Sequence, residues 1–115
     1  MINPIKKIIY GLRYSFYGLQ YLLKDHSWLI ELATMVTITL VLMYVDKSNI
    51  EKLFLFSSCA LVLIAEAFNA AIEAVVDKAS PEIHTLAKKS KDIASSAVFL
   101  TIINALIVWG VMFLF

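Results

Sequence analysis

The chain has 115 residues, with 10 Lys and Arg against 9 Asp and Glu, 61% hydrophobic residues and a mean hydropathy of +0.82. That length allows a single domain, 1–115, and the apolar share stands far above the roughly 45–50% of ordinary soluble domains, whose small folds cannot hide so much. Disorder is excluded by the same numbers, and near-zero net charge argues against nucleic acid as a partner.

The class is therefore a small, all-α integral membrane protein. Cys59 is the only cysteine, so no intrachain disulfide forms. Lys6, Lys7 and Arg13 break the N-terminal region before an apolar core can form, so no cleavable signal peptide is expected. Residues 4–24 read instead as an amphipathic helix. Ile5, Ile8, Leu12, Phe16, Leu19 and Leu23 gather on one face, with Lys6, Arg13, Tyr17, Gln20 and Lys24 opposite. Such a helix lies in the membrane interface, its cations toward lipid phosphates.

Three apolar stretches follow, expected to span the membrane: 28–45, interrupted by Glu31; 53–76, containing Glu66, Asn69 and Glu73; and 93–115, free of formal charge. At 1.5 Å per residue the third reaches about 34 Å, against a hydrocarbon core of roughly 30 Å. Lys6, Lys7, Arg13 and Lys24 precede the first span, Lys47 and Lys52 follow it, and Lys78, Lys88, Lys89 and Lys91 follow the second. The positive-inside rule then puts the N-terminus and the 77–92 loop in the cytoplasm and the C-terminus outside.

Ionisable residues inside a span are costly and mark function by default. Glu66, Asn69, Glu73 and Asp77 fall at about 0°, −60°, −20° and +20° around a helix, one stripe running toward the cytoplasmic end. Ala67, Ala70, Ala71 and Ala74 flank it and allow close helix approach. An amide alone would serve to glue helices together. Repeated carboxylates invite protonation changes or a cation. Asp25, Glu66 and Glu73 supply the hard oxygen ligands Mg²⁺ prefers, and Mg²⁺ usually shares its shell with phosphate. Lys91 suits a phosphate, although composition alone favours a positive-inside anchor. Asp92 and Ser95 read equally as a helix start and a packing residue. Thr34, Thr37 and Thr39 are expected to bond backbone carbonyls, and Asn104 to bond between helices. No nucleotide-loop or zinc motif is present.

The run Glu66-Ala-Phe-Asn69-Ala-Ala-Ile-Glu73-Ala-Val-Val-Asp77 resembles the signature of the bacterial integral-membrane diacylglycerol kinase family, E-x-x-N-[ST]-[SA]-[IV]-E-x-x-V-D. Tyr14-Ser-Phe-Tyr-Gly-Leu19 upstream and Glu82-Ile-His84, Leu86 and Lys91-Asp92 downstream continue the likeness over essentially the whole chain. Ala70 departs from the pattern by removing a hydroxyl, and Asp25 meets a family glutamate with one residue gapped between 19 and 25.

The resemblance implies a homotrimer of one interfacial helix and three spans per chain, in a bacterial inner membrane, with active sites shared between subunits. It implies transfer of the γ-phosphoryl of Mg·ATP to the hydroxyl of diacylglycerol, giving phosphatidic acid. Glu66 would be the general base, Asp25 and Glu73 the Mg²⁺ ligands, and Lys91 a contact to the transferring phosphate. Asn69 would position phosphate or metal, and Glu82 and His84 would meet adenine. Lys7, Tyr14 and Asp92 would surround phosphates and ribose, and Glu31 and Ser95 would lie near the lipid headgroup. Undecaprenol is the alternative acceptor within the family. A non-enzymatic oligomeric channel, with Glu66 and Glu73 as relay groups, is the alternative of another class; it leaves Lys91-Asp92 without a role.

Overall fold

The computed structural model describes residues 3–80 and 84–115, which form four helices and no strand. The helices are α1 (Pro4–Leu22), α2 (His26–Leu42), α3 (Asn49–Ala79) and α4 (Thr85–Leu114). Each start has a local cause. Asn3 caps α1 with Pro4 inside the first turn, Asp25 caps α2, and His84 caps α4. Ser48 and Glu51 form a reciprocal capping box at α3, and the Ser48 bonds hold the Glu51 carboxyl below its ordinary range.

The chain turns by 98° between α1 and α2. Tightened bonds from Lys24 and Asp25 to Tyr21 and Leu22 end α1, and the Asp25 carboxylate then takes the Trp28 N–H to start α2. No described residue of α1 is buried. A helix lying across the direction of its neighbour, with nothing packed over it, is the geometry expected for the membrane interface.

Helix α2 is shorter than the predicted 28–45 span. It ends at Leu42, where bonds of Tyr44 to Val41 and Val45 to Leu42 tighten the chain toward the Ser48 cap. Its 17 residues reach about 26 Å. By contrast α3, of 31 residues, and α4, of 30, are each long and apolar enough to cross a membrane, and the bent α1–α2 pair supplies a third candidate. Both long helices exceed the predicted boundaries, reaching about 45 Å. The excess is 49–52 and 77–79 on α3 and 85–92 on α4; the last two stretches carry Asp77, Lys78, Lys88, Lys89 and Lys91 at one end of the hairpin, which stands clear of the apolar layer.

The helices are held in antiparallel register by buried side chains and by tryptophans. Leu42, Leu55, Leu63, Ala94 and Val98 form the small core, with Ser58 buried among them. The Trp109 indole donates to Ser58 Oγ at 3.1 Å, fixing α4 on α3. The Trp28 indole donates to the Leu63 carbonyl at 3.2 Å, fixing α2 on α3. Thr34, Thr37 and Thr39 each bond the carbonyl four residues back, as expected. At the far end of the hairpin Lys47 donates to the Met112 carbonyl and sits 4.9 Å over the Phe113 ring. A cation there also meets the negative end of α4.

Trp109→Phe is expected to keep the fold and to cost about 0.6 kcal/mol, the average for hydrogen bonds between membrane helices. A lowered thermal midpoint with unchanged activity checks this; an unchanged midpoint would show that Ser58 has replaced its donor.

Candidate active site

The polar stripe falls on α3 as the helical spacing predicts, and two other helices supply the groups that face it. Glu66 and Asn69 are half-buried, whereas Glu73 and Asp77 are exposed toward the charged end. Asn69 donates from Nδ2 to Glu73 Oε1 at 3.1 Å, linking two members of the stripe along the helix. The Asn69 Oδ1 is then left buried, with no hydrogen-bond partner among the described residues. A buried acceptor of this kind costs free energy unless a donor or cation meets it.

From α2, Glu31 brings its carboxyl up to that of Glu66, with Asp25 also close enough to act on it. Glu31 Oε2 is buried, with no hydrogen-bond partner among the described residues. Two carboxyls in contact at the edge of an apolar layer are a natural place to hold and move a proton. The position of Glu31 just inside the first span allows it to join the α3 stripe; which stripe residue it faces is set by the rotation of α2.

Asp25 does two things. Its carboxylate caps α2, with Oδ1 3.2 Å from the Trp28 nitrogen, and it lines a groove of about 700 Å³. One wall of that groove comes from Ser15, Gly18 and Tyr21, the other from Ala67, Ala70 and Ala74 of α3. The alanines flanking the stripe therefore serve less to seat a neighbouring helix within the chain than to leave a space between α3 and the α1 residues that face it, with Asp25 in its lining.

From α4, Lys91 reaches across the hairpin to pair with Asp77. The Asp77 carboxylate, with a smaller contribution from Glu73, holds the Lys91 ammonium above the ordinary lysine range. Lys88 pairs with Asp92 at 2.6 Å along the same helix, which raises Lys88 likewise. Charge at this end of the hairpin is thus arranged in neighbouring pairs.

The remaining predicted residues are not drawn in. Lys7 and Tyr14 are exposed on α1, and their side chains make no hydrogen bond or ion pair among the described residues. His84 is exposed and its Nδ1 accepts from the Leu86 N–H at 3.1 Å, so it is engaged as a cap. Ser95 is exposed, and Glu82 lies outside the described residues. Among the described residues no three His, Cys, Asp or Glu side chains gather into a set able to hold a metal ion. Asp25 and Glu73 therefore do not form a complete site within one chain.

What one chain does hold is chemically specific. It has two neighbouring carboxyls, Glu31 and Glu66, an open groove lined by Asp25, and an amide with a buried oxygen; toward the charged end of the hairpin it adds two exposed carboxylates and a lysine. Hard oxygen donors, a cation and a proton acceptor suit transfer of a phosphoryl group at a membrane surface.

Comparison with known proteins points the same way. The model of the family described as prokaryotic diacylglycerol kinase matches residues 13–113. The diacylglycerol kinase of Escherichia coli K12 is 35% identical over 112 residues, covering 92% of this chain and 88% of that protein. That of Pseudomonas aeruginosa is 32% identical over 111 residues, covering 96% and 90%. That of Helicobacter pylori J99 is 34% identical over 106 residues, covering 91% and 83%.

Proposed function

The chain belongs to the prokaryotic diacylglycerol kinase family, and from that membership we propose that it transfers the γ-phosphoryl of Mg·ATP to the hydroxyl of 1,2-diacylglycerol, giving phosphatidic acid and ADP. The observation that carries this reading is the alignment of Glu66, Asn69 and Glu73 on one face of α3, within a family match that spans nearly the whole chain.

In this reading the acceptor hydroxyl enters from the bilayer through the groove beside Ala67 and Ala70, and Glu66 takes its proton. The lipid oxygen forms its bond to the γ-phosphorus as the bond to the bridging oxygen of ADP breaks. Glu31, against Glu66, orients the base. Lys91 offers its ammonium to the γ-phosphoryl oxygens, where charge is spread in the transition state. Lys7, Tyr14, Glu82, His84 and Asp92 surround adenine, ribose and phosphates, and Ser95 lies toward the lipid headgroup.

The oxygen donors fit Mg²⁺. Glu73 is exposed with Asn69 Nδ2 bonded to it, and the buried Asn69 Oδ1 lacks a partner. Glu73 and Asp25 would hold the ion with Asn69 behind them; two protein ligands suffice because Mg²⁺ keeps water and phosphate in its shell. The ion, when bound, neutralises phosphate charge.

The same reading takes the protein to be a homotrimer in the bacterial inner membrane, with sites shared between subunits. The incomplete ligand set of one chain and the large exposed apolar surface of α2, α3 and α4 support this. The N-terminus and the 77–92 loop face the cytoplasm, as the Lys and Arg distribution favours.

The acceptor is tested by offering equal amounts of diacylglycerol and undecaprenol in mixed micelles with Mg·ATP. Phosphatidic acid is the expected main product. Preferential formation of undecaprenyl phosphate would transfer the assignment to that lipid.

A further inference from the structure

One carboxylate of the α3 stripe has no part in the chemistry above. Asp77 lies four residues beyond Glu73, exposed on the protruding end of α3, and its partner is Lys91 of α4. We propose that Asp77 is a positioning residue for phosphoryl transfer: it holds the Lys91 ammonium over the α3 stripe, next to Glu73, so that the cation is already in place when the nucleotide phosphates arrive. The proposal rests on the reading of Lys91 as a phosphate contact.

The argument begins with what Lys91 would do without a tether. Its side chain is long and flexible, and much rotamer freedom is lost when the head is fixed. It stands on the first turns of α4, where the helix leaves the apolar layer. Lysines at that level extend their stems along the helix and put their heads among lipid phosphates. Anionic headgroups therefore compete with the nucleotide for this cation.

The Asp77 carboxylate settles the competition in favour of the stripe. It draws the ammonium across the hairpin rather than outward, and Glu73 also acts on the same ammonium. An ammonium has three donors, so one bond to Asp77 leaves two for phosphoryl oxygens. Lys88 differs, since it pairs with Asp92 on its own helix instead of with α3. A plain clip between α3 and α4 would explain the same ion pair, but a clip would act on stability and not on nucleotide use.

The test uses the full-length protein in mixed micelles with a short-chain diacylglycerol. The values of kcat, KM for ATP, KM for lipid and thermal midpoint are measured for wild type, Asp77→Asn, Asp77→Glu and Lys91→Ala. Asp77→Asn is expected to raise KM for ATP about tenfold, to lower kcat by a smaller factor, and to leave KM for lipid unchanged. Asp77→Glu, which returns the carboxylate one methylene away, brings KM for ATP back to within about threefold.

A wild-type KM for ATP in Asp77→Asn, with or without a lowered midpoint, would overturn the proposal while Lys91→Ala is inactive. Full activity in Lys91→Ala would instead remove the phosphate contact itself, and the positioning role with it. Should Asp77→Asn fail to assemble, the same kinetics on Asp77→Ser decide the question.

Discussion

Glu66→Gln is expected to lower kcat by about a thousandfold, within the range general-base catalysis supplies, while ATP binding stays close to wild type. The substitution keeps the shape of the side chain and its ability to bond Glu31, so the contact between α2 and α3 survives. What disappears is the basic carboxylate to which the proposed mechanism gives the lipid proton. In the proposed reading nucleotide affinity rests on groups nearer the charged end of the hairpin, three and seven residues further along α3 (Asn69 and Glu73), and on Lys91 of α4. Pre-steady-state product formation and ATP binding, measured on the same preparation, separate the two quantities. A variant as active as wild type would take the base role away from Glu66 and leave the carboxyl pair as a helix contact.

Glu73→Gln is expected to shift the Mg²⁺ requirement upward by about ten- to a hundredfold, the cost typical of weakening a metal's protein shell. Glu73 is exposed and receives the Asn69 amide, so its carboxylate is free to face a cation from the water side. The neutral amide at 73 keeps that hydrogen bond in altered form and removes the charge. Titrating activity against Mg²⁺ at fixed ATP reads the effect, and high Mg²⁺ restores part of the rate. An unchanged Mg²⁺ dependence would exclude Glu73 from the metal site.

Much of this arrangement was legible in the sequence because helical spacing is a strong signal. Glu66, Asn69, Glu73 and Asp77 fall on one face of a helix whatever that helix packs against, and the amphipathic pattern of α1 marks it in the same way. The Ser48-Asn-Ile-Glu51 run before an apolar stretch is a capping signature that sequence reading passed over, and it sets the start of α3 earlier than hydropathy suggested.

Contacts between helices were less accessible. Helix α2 is apolar nearly all round, so no periodicity reveals which face meets α3, and the Glu31–Glu66 contact depends on that rotation. The Asp77–Lys91 pair depends on the register of α4 against α3, which helical spacing within one helix does not reveal. Asn104, expected to bond between helices, is exposed and bonds nothing among the described residues. The end of α2 at Leu42 follows from the tightened turn that leads into the Ser48 cap, a local geometry that hydropathy does not register.

The central claim is that this chain moves the γ-phosphoryl of ATP onto a membrane lipid alcohol. The most direct test incubates the purified protein in mixed micelles with diacylglycerol, Mg²⁺ and ATP labelled at the γ-position, then follows the label into lipid. Label in phosphatidic acid, dependent on Mg²⁺ and lost in Glu66→Gln, is the result expected here. Active, folded protein that leaves all label in ATP or free phosphate, with diacylglycerol and undecaprenol alike, would contradict it.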